Sequence, residues 1–434
     1  MFTWLTQLTP PASVTGAVLV AYVMLAITLI VVLGRVLGGL FAKIGQPRVV
    51  GEIVAGLLLG PTFLGANLSQ VITPLQVRPV LGCVATIALT MFMFLAGLEF
   101  DRGRVRGRGA QAGILAIASI AVPALLGFPI ASLIHSPTYY GSAGAEFLPF
   151  ALFIGAALSV TAFPVMAHIL MERGELNSPM GALGVATTGI MSVLMFAYIA
   201  FAGAVAAAKG FGDLQLRLAL VVLFALVSWF VVRPLLNRFY GARPSATHVT
   251  ADGMAIAFGG MMLFGLIAHL LGINALVGGF MWGMVFPDDP SLRKAVADKF
   301  RDVAMVFLLP VFFAMAGFAS DLKLLSIDTL GAIALILLGA IGGKFLAVVP
   351  ARAFGLSWNE IGFLGALFNA RGLLVLVVGL IGLDLHIINN LTFTIIVVVA
   401  LVTNLMTLPI LSMLSAGPEA PATGVPMSSE APSP

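Results

Sequence analysis

Thirteen long apolar segments occupy most of this 434-residue chain. A polypeptide inside a lipid bilayer must satisfy its own backbone hydrogen bonds, so a segment of roughly 20 apolar residues is predicted to cross the bilayer as a helix. Hydrophobic residues make up 60% of the sequence and charged residues only 9%, a balance that excludes a soluble globular protein. The sequence therefore predicts an all-α integral membrane protein.

Pro, Gly and charged residues divide the apolar sequence into predicted spans 1 to 13. Residues 1–12 are expected to form a short extracytoplasmic segment and residues 13–415 the transmembrane domain. Residues 416–434 are rich in Pro, Ala and Ser and are predicted to be a disordered tail. The predicted spans cover residues 13–40, 48–65, 79–100, 110–135, 148–172, 178–208, 214–236, 251–271, 273–287, 300–319, 328–350, 357–382 and 387–415.

Basic residues are distributed unevenly over the loops between the spans. Fifteen Lys and Arg residues lie in the loops on one side and four in the loops on the other. The positive-inside rule then predicts an extracellular N-terminus and a cytoplasmic C-terminus in the inner (plasma) membrane. This asymmetry also accounts for the net charge of +4 without a nucleic-acid partner.

Spans 1–6 and 8–13 are predicted to form two repeats, residues 13–208 and 251–415. The seventh span crosses the bilayer between them, so the repeats would be inverted. The fifth member of each repeat is interrupted, by Pro164 in span 5 and by Gly365 and Gly372 in span 12. Pro removes a backbone donor and Gly weakens a helix, so both spans are predicted to unwind at these hinges and to cross at a substrate site. The alternative is a pair of kinked packing helices.

Five motifs resemble the monovalent cation/proton antiporter family, which includes bacterial sodium/proton exchangers and Kef-type potassium efflux systems. They are GQPRVVGEIVAGLLLGP at 45–61, FLAGLEFD at 94–101, SVTAFPV at 159–165, LPVFFA at 309–314 and NARGL at 369–373. The resemblance covers about residues 20–415. It implies a homodimer in a lipid membrane, with a core domain that moves against a panel domain and exchanges Na⁺ or K⁺ for protons.

Span 6 departs from this family. Its members carry an aspartate there that binds the cation and the proton in competition, whereas this chain has Met191 and Ser192 at the matching positions. Neutral oxygens cannot replace the charge of a carboxylate or accept its proton. The predicted substrate-site residues are Thr161, Thr187, Thr188, Met191, Ser192, Asn369 and Arg371.

Lys344 in span 11 matches the lysine that the family places beside its aspartate. Burial disfavours the charged form of a lysine, so Lys344 is predicted to release a proton when a cation arrives. The alternative is a lysine that satisfies carbonyl groups at an opened helix end or reaches toward the interface. Arg371 keeps its proton and is expected to pair with helix ends or other acceptors.

His168 in span 5 and His269 in span 8 are further predicted proton carriers, because histidine titrates near physiological pH. The alternative for each is a hydrogen-bonded spacer. Glu52 and Glu360, near the starts of spans 2 and 12, are interpreted as helix caps. The sequence has no phosphate-binding glycine loop, paired catalytic carboxylates or catalytic triad, so neither an enzyme nor a cofactor is predicted, and no fixed metal site.

Three functions agree with these patterns. The first is a cation/proton antiporter with an altered ion site. The second keeps the fold but carries an anionic or amphipathic organic substrate, as two buried cations without a buried acid would favour. The third is a membrane-embedded binding or biosynthetic protein that does not transport. We predict the first, because the family pattern covers almost the whole chain.

Overall fold

The computed structural model describes residues 15–43, 48–99, 109–142, 146–175, 178–208, 210–241, 250–272 and 274–414. The predicted segment 1–12 and tail 416–434 lie outside these residues. Within them the regular structure is helical, as predicted, and the only β-type pairing is an isolated bridge between Tyr140 and Ile388. The helices are α1 (Gly16–Lys43), α2 (Arg48–Leu59), α3 (Pro61–Ile72), α4 (Arg78–Glu99), α5 (Gly109–Ile134), α6 (Phe147–Ser159), α7 (Phe163–Glu172), α8 (Pro179–Ala207), α9 (Phe211–Val227), α10 (Arg233–Gly241), α11 (Ala251–Leu270), α12 (Ala275–Val285), α13 (Pro290–Asp302), α14 (Leu309–Ala319), α15 (Leu330–Val348), α16 (Trp358–Phe368), α17 (Leu373–Asp384) and α18 (Asn390–Ser412).

Every predicted span has a helical counterpart. The described residues contain nine helical stretches that are long and apolar enough to cross a membrane, together with four shorter apolar helices. Span 2 is α2 followed by α3, which begins at Pro61 and bends at Gly65, where φ is 74°. Span 9 is α12, a short helix separate from α11. Spans 5 and 12 are each divided, into α6 and α7 and into α16 and α17.

The helices pack in two layers, which are the predicted core and panel. The core layer consists of α5 to α8 and α15 to α18, which contact one another extensively. The panel layer is built from α1, α2, α4 and α11 to α14. The main contacts between the layers run from α8 to α12 and from α14 to α18. The core layer thus takes the same three spans from each predicted repeat.

Two loops join the halves of the core layer at one end. The loop after α5 contacts the loop after α17: the Asn389 side-chain amide donates to the Thr138 carbonyl at 2.7 Å. The Thr392 hydroxyl donates to the Tyr139 carbonyl at 2.6 Å. These bonds connect residues that are more than 250 positions apart. They hold α5, α6, α17 and α18 together as one body.

Glycines let the helices approach closely. In the core layer, a Cβ atom on Gly127 of α5 would lie 2.5 Å from Gly155 Cα of α6. In the panel layer, a Cβ atom on Gly97 of α4 would lie 2.9 Å from Gly283 Cα of α12. Lipid tails are as apolar as leucine, so membrane helices associate through close packing of small residues rather than through the hydrophobic effect.

Gly127→Ala is expected to lower the free energy of unfolding by about 1–3 kcal/mol, because the added methyl group separates α5 from α6. Gly113→Ala in the same helix is the matched control, since its Cβ atom would meet nothing within 4 Å. That control should be neutral or stabilise by up to about 1 kcal/mol. Thermal unfolding in detergent measures both, and equal melting temperatures would contradict the packing described here.

Candidate functional site at the crossing of two interrupted helices

The interruptions of the two divided helices meet inside the core layer. The first, residues 160–162, separates α6 from α7, and the second, residues 369–372, separates α16 from α17. The backbone N–H of Ala162 donates to the Ala370 carbonyl at 2.9 Å, so the two opened segments bond to each other. The predicted crossing of two unwound helices is therefore present.

Two further contacts hold the crossing together. The buried Thr161 hydroxyl donates to the carbonyl of Phe368, the last residue of α16, at 2.6 Å. Gly372, the residue that precedes α17, packs against Ala162, the residue that precedes α7: a Cβ atom on Gly372 would lie 2.6 Å from Ala162 Cβ. The N-terminal ends of α7 and α17 therefore face the same point.

The three predicted hinges occupy different places. Pro164 lies in the first turn of α7, where the missing N–H of proline costs no helical hydrogen bond. Gly372 lies in the second interruption. Gly365 is inside α16 instead of at the opening, so its prediction as a hinge is corrected. A Cβ atom there would lie 2.6 Å from the Phe345 ring, which shows that this glycine serves packing.

Arg371 binds the C-terminal end of α6. Its guanidinium is fully buried and donates to the carbonyls of Ala157 and, at 2.8 Å, Leu158. A third bond runs to the Ala340 carbonyl of α15 at 3.1 Å. The last four carbonyls of a helix have no intrahelical donor and carry its negative end, so the cation stabilises this opened terminus.

Lys344 binds the same helix end. Its fully buried ammonium donates to the carbonyl of Ser159, the last residue of α6, and to the Ser119 carbonyl of α5 at 2.9 Å. This is the geometry of the carbonyl-binding alternative described above. A proton carried by Lys344 would therefore also affect the bonds that close the end of α6.

The hydroxyl groups on α8 differ in what they bind. Ser192 donates to the Thr188 carbonyl at 3.0 Å, and the Thr188 hydroxyl donates to the Gly184 carbonyl at 2.8 Å. Both hydroxyls are therefore satisfied within their own helix. The Met191 side chain is buried at 2% exposure.

The side chains of Thr187 and Asn369 are fully buried. Neither the Thr187 hydroxyl nor either polar atom of the Asn369 amide has a hydrogen-bond partner among the described residues. Each such group costs about 1–3 kcal/mol when left unpaired. α8 packs against α16 in this part of the core, since a Cβ atom on Gly184 would lie 2.8 Å from Leu367 Cδ2. Among the described residues, these two predicted substrate-site side chains therefore keep unpaired polar atoms.

The two predicted histidines are not equally placed. His168 belongs to α7 by its backbone, while its side chain lies outside what the structure describes. His269 lies in the last turn of α11, a helix of the panel layer, and its side chain is exposed. The structure does not bring His269 to the crossing.

Carboxylates lie away from the crossing. Among the described residues the only buried Asp or Glu is Glu52, which sits in the second turn of the panel helix α2; its prediction as a cap was wrong. Glu360 does cap α16, accepting from the Ser357 N–H at 2.7 Å. α5, α8, α15 and α18 contain no Asp or Glu. The described residues also hold no group of three metal-ligating side chains of His, Cys, Asp or Glu.

Two residues of the crossing were missed from the sequence. Asn404 of α18 accepts the backbone N–H of Arg371 at 2.8 Å through its side-chain oxygen. Ser119 of α5 is fully buried, and its hydroxyl has no partner among the described residues. The available signal was a polar residue inside an otherwise apolar span.

Comparison with known proteins agrees with this architecture. Residues 10–414 match the model of the transmembrane sodium/hydrogen exchanger family. The chain belongs to the sodium/hydrogen exchanger family. The resemblance predicted from the five motifs is thus confirmed.

Two relatives and one solved structure are similar over most of the chain. The Na⁺/H⁺ antiporter NhaS4 of Synechocystis is 34% identical over 400 residues, which cover 90% of this chain and 97% of that protein. Cation/H⁺ antiporter 20 of Arabidopsis thaliana is 33% identical over 394 residues. These residues cover 88% of this exchanger-family chain but only 47% of that longer protein. The sodium proton antiporter MjNhaP1 of Methanocaldococcus jannaschii shares the fold, with a TM-score of 0.68 at 17% identity over 91% of this chain and 98% of that one.

Thr161→Val is expected to lower the free energy of unfolding by about 1–3 kcal/mol, because it removes the donor that joins the first interruption to the end of α16 and leaves the Phe368 carbonyl without this partner. Thr28→Val is the matched control, since the exposed Thr28 hydroxyl donates to the Met24 carbonyl within α1. Thermal unfolding in detergent compares the two. A loss of the same size in both variants would show that the bond across the crossing has no special role.

Proposed function

We propose that this protein is a secondary active antiporter that exchanges a monovalent cation, Na⁺ or K⁺, for protons. One observation carries the proposal: in a member of the sodium/hydrogen exchanger family, two interrupted helices meet at their openings and leave buried polar groups there. The relatives named above as cation/proton antiporters support the same function. It is transport, with no enzymatic step.

Movement of the core layer against the panel layer would expose the crossing to each side in turn. The described contacts between the layers include the stacked rings of Phe196 and Phe280, with centroids 4.1 Å apart. Just after the panel helix α14, the Asp321 N–H donates to the Thr394 hydroxyl of the core helix α18 at 3.0 Å. An apolar contact surface with few hydrogen bonds permits sliding. The crossing would move with the core, because its bonds join core helices to one another.

The cation would bind neutral oxygens at the crossing. The Thr187 hydroxyl and the side-chain carbonyl oxygen of Asn369 are buried and have no partner among the described residues, so binding a cation there breaks no hydrogen bond that the structure describes. A dehydrated monovalent cation needs a cluster of such oxygens. Ser192 and Thr188 contribute less directly, because their hydroxyls already donate along α8.

The proton would be carried by Lys344. If Lys344 releases its proton as a cation binds, the buried charge at the crossing stays the same and exchange is one for one. Arg371 does not release a proton under physiological conditions and stays a positive cap on α6. His168 is the alternative carrier within the core layer, while the exposed His269 in the panel layer is a weaker one.

An anionic organic substrate is the second candidate, favoured by two buried cations at a site whose own helices supply no central carboxylate. Against this, the described donors of Lys344 and most of those of Arg371 point to carbonyls of α5, α6 and α15. A transported anion would have to displace these bonds. We therefore place cation exchange first.

The assembly and its orientation are also proposals. We infer a homodimer in the plasma (inner) membrane with the N-terminus outside, and repeats at residues 13–208 and 251–415. Support for a partner comes from two helical stretches of the described chain, Gly16–Lys43 and Gly212–Gly241. In an apolar 18-residue part of each, only 11% of the residues are buried within one subunit. Such surfaces face lipid or a second copy.

Lys344→Arg and Lys344→Ala are each expected to reduce cation-evoked proton flux roughly tenfold or more, because arginine keeps the charge but releases no proton and alanine has neither. A pH-sensitive dye in proteoliposomes measures the flux on addition of Na⁺, K⁺ or Li⁺. Lys323→Arg, outside the core layer, is the matched control and should retain native flux. Native flux in Lys344→Arg would show that Lys344 only caps α6 and would direct attention to His168.

Ser192→Asp is expected to lower the half-saturating cation concentration roughly tenfold, because it adds a carboxylate near neutral ligands. Ser192→Asn controls for size without charge and should resemble the native protein. The same proteoliposome assay, run over a range of cation concentrations, measures the half-saturating concentration. If the native protein is silent with every ion while Ser192→Asp is active, the native chain does not exchange cations, and the organic-substrate or non-transporting function replaces the proposal.

A further inference from the structure

The positive charge at the crossing is not balanced by acidic side chains of the core layer. Lys344 and Arg371 are both fully buried. The core helices α6, α7, α16 and α17 carry acidic residues only near their outer ends, at Glu172, Glu360 and Asp384. Exchanging the Lys344 proton for a monovalent cation leaves the total buried positive charge at the crossing unchanged. A buried charge without a counter-charge is costly, so a compensating anion would be strongly stabilised.

Two positive helix ends converge on the same point. α7 has 10 residues and α17 has 12, and no described side chain caps either N-terminus. Their N-cap residues, Ala162 and Gly372, are in contact, as the 2.6 Å approach of a Cβ atom on Gly372 to Ala162 Cβ shows. The first-turn N–H groups of a helix have no intrahelical acceptor and favour a negative ligand.

Unpaired donors lie in the segment that leads into α17. The Asn369 side-chain nitrogen and the Arg371 Nε are buried, in fully buried side chains, and have no acceptor among the described residues. Both residues belong to the interruption 369–372. A donor at this depth needs an acceptor, and the two donors add to the two helix ends. All four features call for the same kind of ligand, one that accepts hydrogen bonds and is negative.

We propose that the crossing binds a small monovalent anion, chloride or a small carboxylate such as acetate, between the N-termini of α7 and α17 and beside Asn369. The anion acts as a resident counter-charge to Lys344 and Arg371. The inference rests on the proposed function in locating the substrate site at this crossing. Its test requires no transport.

The test is thermal unfolding of the purified full-length protein in detergent, at constant sodium concentration and ionic strength, as gluconate is replaced by chloride or by acetate. A saturable rise in melting temperature of roughly 2 °C or more is expected, because the ligand binds the folded state only. If the melting temperature rises with chloride alone, the site is selective for a small inorganic anion. If it rises with acetate as well, the site also admits small carboxylates. The same melting temperature in all three anions would overturn the proposal.

Matched variants locate the site. Asn369→Asp, which keeps the side-chain shape and adds a carboxylate to the interruption, should abolish the anion effect. Asn274→Asp is the control, because Asn274 caps the panel helix α12 with its side-chain oxygen, as aspartate also does; it should keep the full effect. If Asn369→Asp does not fold, Ser192→Asp, whose carboxylate comes from α8, takes its place, with Ser192→Asn as control. An undiminished anion effect in the folded Asp variant would place the anion elsewhere and contradict the proposal.

The anion test and the flux assay can contradict their two proposals independently of each other. An anion-dependent melting temperature with no cation-evoked flux in the native protein would contradict the antiporter function alone. Flux without any anion dependence of melting would contradict the resident anion alone.

Discussion

The architecture depends on satisfying two opened helix ends inside a bilayer. Backbone carbonyls at the end of α6 would otherwise lie in an apolar core without donors, where each unpaired group costs several kcal/mol. Arg371 supplies such donors from the second interruption, and Lys344 supplies them from α15. Thr161 and the Ala162 N–H do the same for the end of α16 and the segment after it. Each opening therefore persists only because the other repeat is packed against it.

The same interactions limit what the two cations can do. Their donors are directed mainly at carbonyls, so neither is a free anchor for a large anionic substrate. A proton that leaves Lys344 must also weaken its bonds to Ser119 and Ser159. Under the proposed function, proton release would in this way be linked to the conformation of the α6 end, on which the shape of the crossing depends. The site that a cation would occupy and the group that would titrate are thus mechanically connected.

The two layers differ in how they serve this site. Core helices approach closely at glycines, as at Gly127 and Gly155, and are joined by two loops, so they hold the crossing with little freedom. The panel layer carries the buried Glu52 and the exposed His269 and contributes no described polar side chain to the crossing. The described contacts between the layers are fewer and largely apolar, which suits a core that moves as a unit.

The sequence by itself determined the thirteen apolar segments, the family, and the two spans that open, because apolar length, Pro and Gly act locally and the motifs are continuous. It also singled out Lys344 and Arg371, since a charge in an apolar segment is visible without a fold. Only the tertiary structure decided that both cations cap one helix end and that Gly365 serves packing instead of bending. It also decided that the side-chain polar atoms of Thr187 and Asn369 have no partner among the described residues, while Thr188 and Ser192 donate along α8. These outcomes depend on which segments touch. The Lys344–Ser159 and Arg371–Leu158 bonds join residues 185 and 213 positions apart, and no local pattern specifies such a pairing.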